Sequence, residues 1–96
     1  MACQVLLEFK IADGCHDRLR EKIVEILPDT RNFDGCISIN FTRDQEDPSK
    51  MIVVELWDTR KHYEDYLDWR TVRGDMDMLG EMMKEPSWRF LDLWGV

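Results

Sequence analysis

The positions of apolar and polar residues divide the chain into strand-like and helix-like segments. Alternation with a period of two residues, which puts successive side chains on opposite faces of a strand, runs through residues 4–11, 36–43 and 88–94. Residues 51–57 are apolar almost throughout. These four segments are predicted to be strands.

Two further segments carry apolar residues at helical spacing. In the first, one face presents Leu19, Ile23, Ile26 and Leu27. Pro28 is expected to end or distort this helix, because proline lacks the amide hydrogen that a helix interior needs, although residues 28–30 can form another turn. The second helical region is predicted from Arg60 to about Lys84, after a cap at Asp58 or Thr59, with a break or bend at residues 69–71. Val72, Met76, Leu79 and Met83 are expected to share one of its faces.

The resulting order, β-α-β-β-α-β, predicts a ferredoxin-like α+β fold: a four-stranded antiparallel sheet with the helices on one face. The opposite face would be uncovered, yet the strands are apolar on both sides; the third strand has Ile52, Val54 and Leu56 on one side and Val53 and Trp57 on the other. An apolar face of this size exceeds the patches that monomers usually expose. We therefore expect a homodimer formed through the sheet face.

Composition narrows the class of protein. The chain has 96 residues, 44% of them apolar, and is expected to form one domain over residues 1–96. Its formal charge of −7 argues against binding to nucleic acid, where positive charge supplies most of the non-specific affinity. No apolar run approaches a membrane span, and three cysteines without paired spacing fit reduced thiols. We expect a cytoplasmic protein that contacts neither membrane nor nucleic acid.

No established catalytic or metal-binding motif appears in the sequence. Glycine-rich nucleotide loops and zinc-protease spacings are absent. Two histidines, His16 and His62, are too few for a histidine-rich metal site. The acidic stretch 44–47 lacks the glycine and distal glutamate of a calcium loop. We expect neither a metal nor another cofactor.

Several segments together resemble one known family. Asp13-Gly14 follows the first strand, Phe33-Asp34-Gly35-Cys36 opens the second, Asp47-Pro48 precedes the third, and Val54-Glu55-Leu56-Trp57-Asp58 leads into a helix. This pattern, which spans nearly the whole chain, resembles the antibiotic biosynthesis monooxygenase family. The resemblance implies a dimeric α-β barrel with a pocket between sheet and helices in each subunit. In active members it also implies cofactor-independent oxygenation of polycyclic phenols or quinols.

The resemblance also suggests particular residues. Trp57 matches the pocket tryptophan of the family, and Tyr63 matches a tyrosine that some members place beside the substrate. Tyr66 stands where many members have histidine, and Val53 stands where one type has asparagine. Heme-degrading relatives have an asparagine that would fall near Leu7 and a later histidine that this chain lacks, which disfavours heme cleavage.

The chemistry of phenols gives a second route to the site. A phenolic substrate reacts with oxygen once it is deprotonated, so the protein needs a proton acceptor or electrostatic partner and a dry aromatic cavity. We predict Trp57, Tyr63 and Tyr66 as catalytic residues. The predicted substrate-binding residues are Asn40, His62, Trp69, Arg70 and Arg73. One alternative is a dimer that holds a small aromatic ligand in the same pocket without reacting. In another, Trp57 is a core residue, the two tyrosines are half-buried helix residues, and the arginines are solvated or paired with Asp65, Asp68 or Asp75.

Overall fold

The computed structural model describes residues 2–96 and contains four strands and three helices. The strands are β1 (Cys3–Ile11), β2 (Cys36–Arg43), β3 (Lys50–Trp57) and β4 (Met83–Asp92), and the helices are α1 (His16–Arg31), α2 (Arg60–Arg73) and α3 (Asp75–Gly80). The strands form one antiparallel sheet in the order β2-β3-β1-β4. The predicted ferredoxin-like α+β fold is confirmed, with a third, short helix inserted before β4.

The strand register separates two faces of the sheet. Val5 of β1 lies opposite Glu55 of β3, and Leu7 lies opposite Val53. These residues belong to the face that the helices cover, which we call the helix-side face. The residues between them, such as Leu6 opposite Val54, belong to the other face, which we call the open face.

Two groups of buried side chains fill the space between the helix-side face and the helices. The first comprises Phe9, Leu19, Ile23, Ile39, Val53 and Met82. The second comprises Cys3, Val5, Trp57, Tyr63 and Tyr66. The second group lies at the end of β3, against the buried side of α2.

The first helix does not end at its proline. α1 continues through Pro28 to Arg31, and the Asn32 amide donates to the Pro28 carbonyl at 3.1 Å. The missing proline amide hydrogen removes one bond from the helix ladder. Thr30, beyond the proline, is buried, so packing holds this last turn against the molecule.

The second helical region departs from the sequence prediction at two points. The break lies at Gly74, which has φ of 86°, and not at residues 69–71. Val72 is 88% exposed and therefore does not share the buried face of Met76 and Leu79. The strand β4 begins at Met83, within the region predicted to be helical.

The early start of β4 follows from pairing with β1. Lys84 pairs with Lys10, and the register shifts before Ser87 pairs with Glu8. Glu85 adopts a positive φ of 54° within this irregular stretch, and Pro86 occupies an edge strand, where a missing amide hydrogen is tolerated. Among residues 2–96, none of the helices has both the length and the apolar character that crossing a membrane requires.

Candidate functional site

Three aromatic side chains meet where β3 passes into α2. Trp57 ends β3, and Thr59 caps α2 by accepting from the His62 amide at 3.1 Å. Tyr63 and Tyr66 are three residues apart on α2, so both project from the same side of the helix. Their ring centroids lie 5.5 Å and 5.1 Å from that of Trp57, and all three side chains are buried. The structure thus brings together the three residues predicted to be catalytic.

Both tyrosine hydroxyls are hydrogen-bonded inside the protein. The Tyr63 hydroxyl accepts from Trp88 Nε1 at 2.9 Å. The Tyr66 hydroxyl lies 2.7 Å from Thr30 Oγ1 and accepts from Arg70 Nε at 3.1 Å. Burial raises the pKa of both tyrosines above its ordinary value, against the opposing effect of these donors. Both phenols are therefore neutral at physiological pH and can act as hydrogen-bond donors.

Arg70 is wholly buried and is engaged by the protein itself. Besides Tyr66, its guanidinium donates to Asp75 Oδ2 at 2.9 Å, to the Ile26 carbonyl at 2.8 Å and to Thr30 Oγ1 at 2.9 Å. These contacts connect α2 to both α1 and α3. Arg70 therefore positions Tyr66 and has few donors left for a ligand.

A small cavity of about 70 Å³ lies between the sheet and the helices. Its walls are mostly apolar, and the residues from the sheet, α1, α2 and the α3–β4 region are Leu7, Ile23, Ile26, Leu27, Thr30, Ile39, Phe41, Val53, Glu55, Tyr63, Tyr66, Leu67, Met76, Leu79 and Met83. Tyr63 and Tyr66 line this cavity, whereas Trp57 packs behind them. The polar groups in its wall are few and come from Thr30, Glu55 and the two tyrosines.

Glu55 is the unexpected member of the wall. It lies in the middle of β3 on the helix-side face, is 3% exposed, and accepts a hydrogen bond from Trp57 Nε1 at 3.2 Å. Burial raises the pKa of its carboxyl to about 7, and the Trp57 hydrogen bond opposes this only in part. A carboxyl with this pKa exchanges its proton near neutral pH, as a general base must.

The sequence contained the information needed to find Glu55. Alternation along β3 puts residues 53, 55 and 57 on one face, so a carboxylate stands between Val53 and Trp57. An unpaired charge in such a place shifts its pKa toward the neutral form. The residues predicted for the site were aromatic, amide and basic side chains, and Glu55 was not among them.

The other predicted site residues lie outside the cavity. Asn40 is exposed on β2 and pairs in register with Val54, which places it on the open face. The His62 ring hydrogen-bonds to Thr59 Oγ1 at 2.7 Å and lies 3.8 Å from Asp34. The structure therefore does not bring Asn40 and His62 to the tyrosines.

Trp69 and Arg73 form a separate patch next to the aromatic cluster. The Trp69 ring lies 5.3 Å from that of Phe33, and the guanidinium groups of Arg70 and Arg73 lie 4.7 Å and 4.9 Å from its centre. Arg73 is half-exposed and pairs with Asp75 at 3.2 Å. These residues enclose one end of the aromatic cluster and do not line the cavity.

Fold and site together define a ferredoxin-like α+β protein with a cavity between sheet and helices. A model of the antibiotic biosynthesis monooxygenase family matches residues 4–73. The chain therefore belongs to the antibiotic biosynthesis monooxygenase family, as the sequence resemblance indicated. A search of curated protein sequences returned no match.

Solved structures share the whole fold. A conserved protein from Methanosarcina mazei Go1 is 15% identical, with a TM-score of 0.85 over 95% of this chain and 91% of its own. A "putative antibiotic biosynthesis monooxygenase" from Deinococcus radiodurans is 20% identical, with a TM-score of 0.83 over 100% of this chain and 95% of its own. Rv0793 from Mycobacterium tuberculosis is 17% identical, with a TM-score of 0.77 over 100% of this chain and 98% of its own. At such identities the likeness concerns the fold.

Proposed function

We propose that this protein is a cofactor-independent monooxygenase that oxidises a small phenol or quinol in the helix-side cavity. The observation that carries the proposal is Glu55, a buried carboxyl in an otherwise apolar wall, with its pKa raised to about 7. Membership of the monooxygenase family supplies the reaction class, and the carboxyl supplies the proton acceptor that such a reaction needs.

The reaction can be written with a hydroquinone as substrate. Glu55 takes a phenolic proton, and the electron-rich anion then reacts with oxygen at a ring carbon. One oxygen atom stays on the ring and the other leaves as water, using two electrons and two protons from the substrate. A hydroquinone and one oxygen molecule thus give a hydroxyquinone and one water, and the proton held by Glu55 is returned to the departing oxygen.

The neighbouring side chains serve this step in different ways. Trp57 Nε1 donates to Glu55 and fixes the carboxyl in place. The Tyr63 hydroxyl accepts from Trp88 and keeps its own proton for donation to a substrate oxygen. Tyr66, held by Arg70 and Thr30, forms another part of the wall. Donors fixed in a dry site stabilise developing negative charge without reorganisation.

The size of the cavity limits the substrate. Its volume is about 70 Å³, whereas an engineered apolar cavity that binds benzene measures about 150 Å³. Binding of a single ring therefore requires lining side chains to move and enlarge the cavity. The wall contains Met76 and Met83, whose unbranched side chains change conformation readily. We propose one-ring phenols or quinols as substrates in preference to polycyclic ones.

The open face is proposed as the interface of a homodimer. Leu6, Val54 and Leu56 occupy its centre by register and are half-buried in the isolated chain, and Leu91 beside them is 39% exposed. Covering these side chains with a second copy removes their apolar surface from water. Dimer formation would then support the sheet that carries Glu55 and leave the cavity on the opposite side.

Oxygen consumption tests the proposed activity. The protein is incubated with one-ring and three-ring quinols under isotopically labelled oxygen without catalase, and hydrogen peroxide is measured in the same samples. We expect faster uptake with one-ring quinols and one labelled oxygen atom in the product, and slower turnover in Tyr63→Phe and Trp57→Phe. Formation of hydrogen peroxide and unlabelled quinone, or no uptake above the protein-free rate, would contradict a monooxygenase.

A second candidate function is binding of a small aromatic molecule without reaction. Val53 and Tyr66 favour it, because they stand where the family resemblance implies an asparagine and a histidine beside the substrate. Quenching of tryptophan fluorescence by a one-ring phenol, with no product formed aerobically, is the result that this candidate predicts.

A further inference from the structure

A second concavity lies between α1 and the β2 edge of the sheet. It is an open groove of about 450 Å³, within the range of small-molecule sites. Its lining residues are Ile11, His16, Leu19, Arg20, Ile23, Val24, Leu27, Arg31, Asn40, Phe41, Arg43 and Met51. This groove is distinct from the cavity, although Ile23, Leu27 and Phe41 contribute to both walls.

The charge of the groove is opposite to that of the chain. The formal charge of the protein is −7, yet the lining contains Arg20, Arg31 and Arg43 and no acidic side chain. A protein with 20 acidic residues would be expected to place a carboxylate near most arginines. Here three guanidinium groups surround one apolar floor without such a neighbour in the lining.

The ion pairs of the structure distinguish the groove arginines from most other basic residues. Of the 13 lysines and arginines, eight pair with a carboxylate within the described residues: Lys10, Lys22, Lys50, Arg60, Lys61, Arg70, Arg73 and Arg89. Three of the remaining five are the arginines of the groove. They therefore keep their charge available to an anion from solution.

The floor of the groove is apolar and partly exposed. Val24, four residues after Arg20 on α1, is 58% exposed, and Phe41 and Met51 form the sheet side. Residues 20, 24, 27 and 31 form one stripe along α1, because neighbours three and four residues apart share a helix face. Arg31 Nη2 donates to the Ile39 carbonyl at 3.3 Å, which holds its guanidinium at the edge of this floor.

We infer that this groove binds a small amphiphilic carboxylate. The carboxylate would pair with Arg31, whose planar guanidinium group matches its two oxygens and is held beside the floor by the Ile39 carbonyl. Arg20 stands about 16 Å earlier along the axis of α1, so Arg20 and Arg43 would attract the anion at longer range. The apolar body would cover Val24, Phe41 and Met51 and remove them from water. This binding is independent of the reaction proposed for the cavity, because the carboxylate site lies on the outer side of the shared wall.

Isothermal titration calorimetry with octanoate tests the inference on the 96-residue chain. We expect saturable binding that weakens as salt concentration rises, because partly exposed charges are screened. Octanol, which has the same chain without the charge, and octyltrimethylammonium, which reverses it, should bind much more weakly. Equal binding of octanol and octanoate, or no binding of octanoate, would overturn the inference.

Substitutions locate the site. Arg31→Gln should weaken octanoate binding about fivefold, corresponding to about 1 kcal/mol for one exposed ion pair, and Val24→Ser should weaken it without changing the charge. Arg18→Gln is the matched control, because Arg18 is exposed on the same helix but does not line the groove. Loss of binding in Arg18→Gln equal to that in Arg31→Gln would show attraction to general positive charge and would contradict a specific site.

Discussion

The burial of Glu55 makes the stability of the protein depend on pH. Its pKa is 4.5 in an ordinary setting and about 7 in the folded chain, so between these values the folded state keeps a proton that the unfolded state has released. The free energy of unfolding therefore falls as pH rises through this window. At 1.36 kcal/mol for each unit of pKa, the total loss from this group is about 3 kcal/mol.

Replacing Glu55 by glutamine should remove this loss, because an amide cannot ionise and still accepts from Trp57. From acid pH to pH above 7, the free energy of unfolding of Glu55→Gln should rise by about 3 kcal/mol relative to that of the native chain. Urea unfolding at several pH values measures this difference, with exposed Glu64→Gln as the control. Parallel stability curves for native protein and Glu55→Gln would show that the buried carboxyl does not titrate in this window.

The two arginines of the Asp75 pair should differ sharply in their contribution to stability. Arg70 is buried and joined to four protein groups, whereas Arg73 is half-exposed and bonded to Asp75 alone. Removing one partner of a buried pair costs about 3–5 kcal/mol, and an exposed pair contributes about 1 kcal/mol or less. Thermal and urea unfolding should therefore show a large loss in Arg70→Gln and a small one in Arg73→Gln. Equal losses would argue against the network that supports Tyr66.

At the scale of the elements, the start of β2 is fixed by a close approach to α2. Gly35 has φ of 90°, and a methyl group there would lie 2.5 Å from the Cβ of His62. Gly74, between α2 and α3, has a similar φ of 86° but open space around it. Gly74→Ala should cost about 1 kcal/mol for its left-handed conformation alone, and Gly35→Ala should cost clearly more. If unfolding measurements give the same loss for both, the packing of His62 on Gly35 is not tight.

Sequence patterns were sufficient to predict some helices and strands but not the boundaries of others. Strands β1 to β3 follow from alternating or continuous apolar residues, because one or both faces of each are buried. The start of β4 could not be found in this way: residues 83–86 contain a proline and no alternation, and they become strand because β1 offers an unpaired edge. The bend of the second helical region depends on one glycine conformation, which composition alone does not fix.

The sequence predicted the parts of the site that depend on local spacing, but not those that depend on contacts between distant segments. Trp57, Tyr63 and Tyr66 converge because one ends a strand and the others share a helix face, which spacing reveals. The engagement of Arg70 depends on Ile26 and Thr30, which are distant from it in sequence. Thr30 belongs to the turn that α1 adds beyond Pro28. Asn40 was assigned to the pocket without a strand register, and the register places it on the open face.

At the scale of the whole molecule, the open face predicts self-association. Native protein should sediment as a species twice the chain mass of 11.5 kDa. Val54→Asp, at the centre of the open face, should give a folded species of single mass, because burying an unpaired charge is unfavourable. Val72→Asp is the control, since Val72 is 88% exposed on α2. Sedimentation of the native protein as a monomer at every concentration would contradict the proposed interface.

The most direct test of Glu55 as the general base is the pH dependence of oxygen uptake with a one-ring hydroquinone, measured in native protein and in Glu55→Gln. If Glu55 accepts the phenolic proton, the rate above the protein-free background should rise with pH to a plateau, with a midpoint near 7. In Glu55→Gln the enzymatic rate should fall to background at every pH while the protein remains folded. An unchanged rate and midpoint in Glu55→Gln would contradict the assignment of this carboxyl as the base.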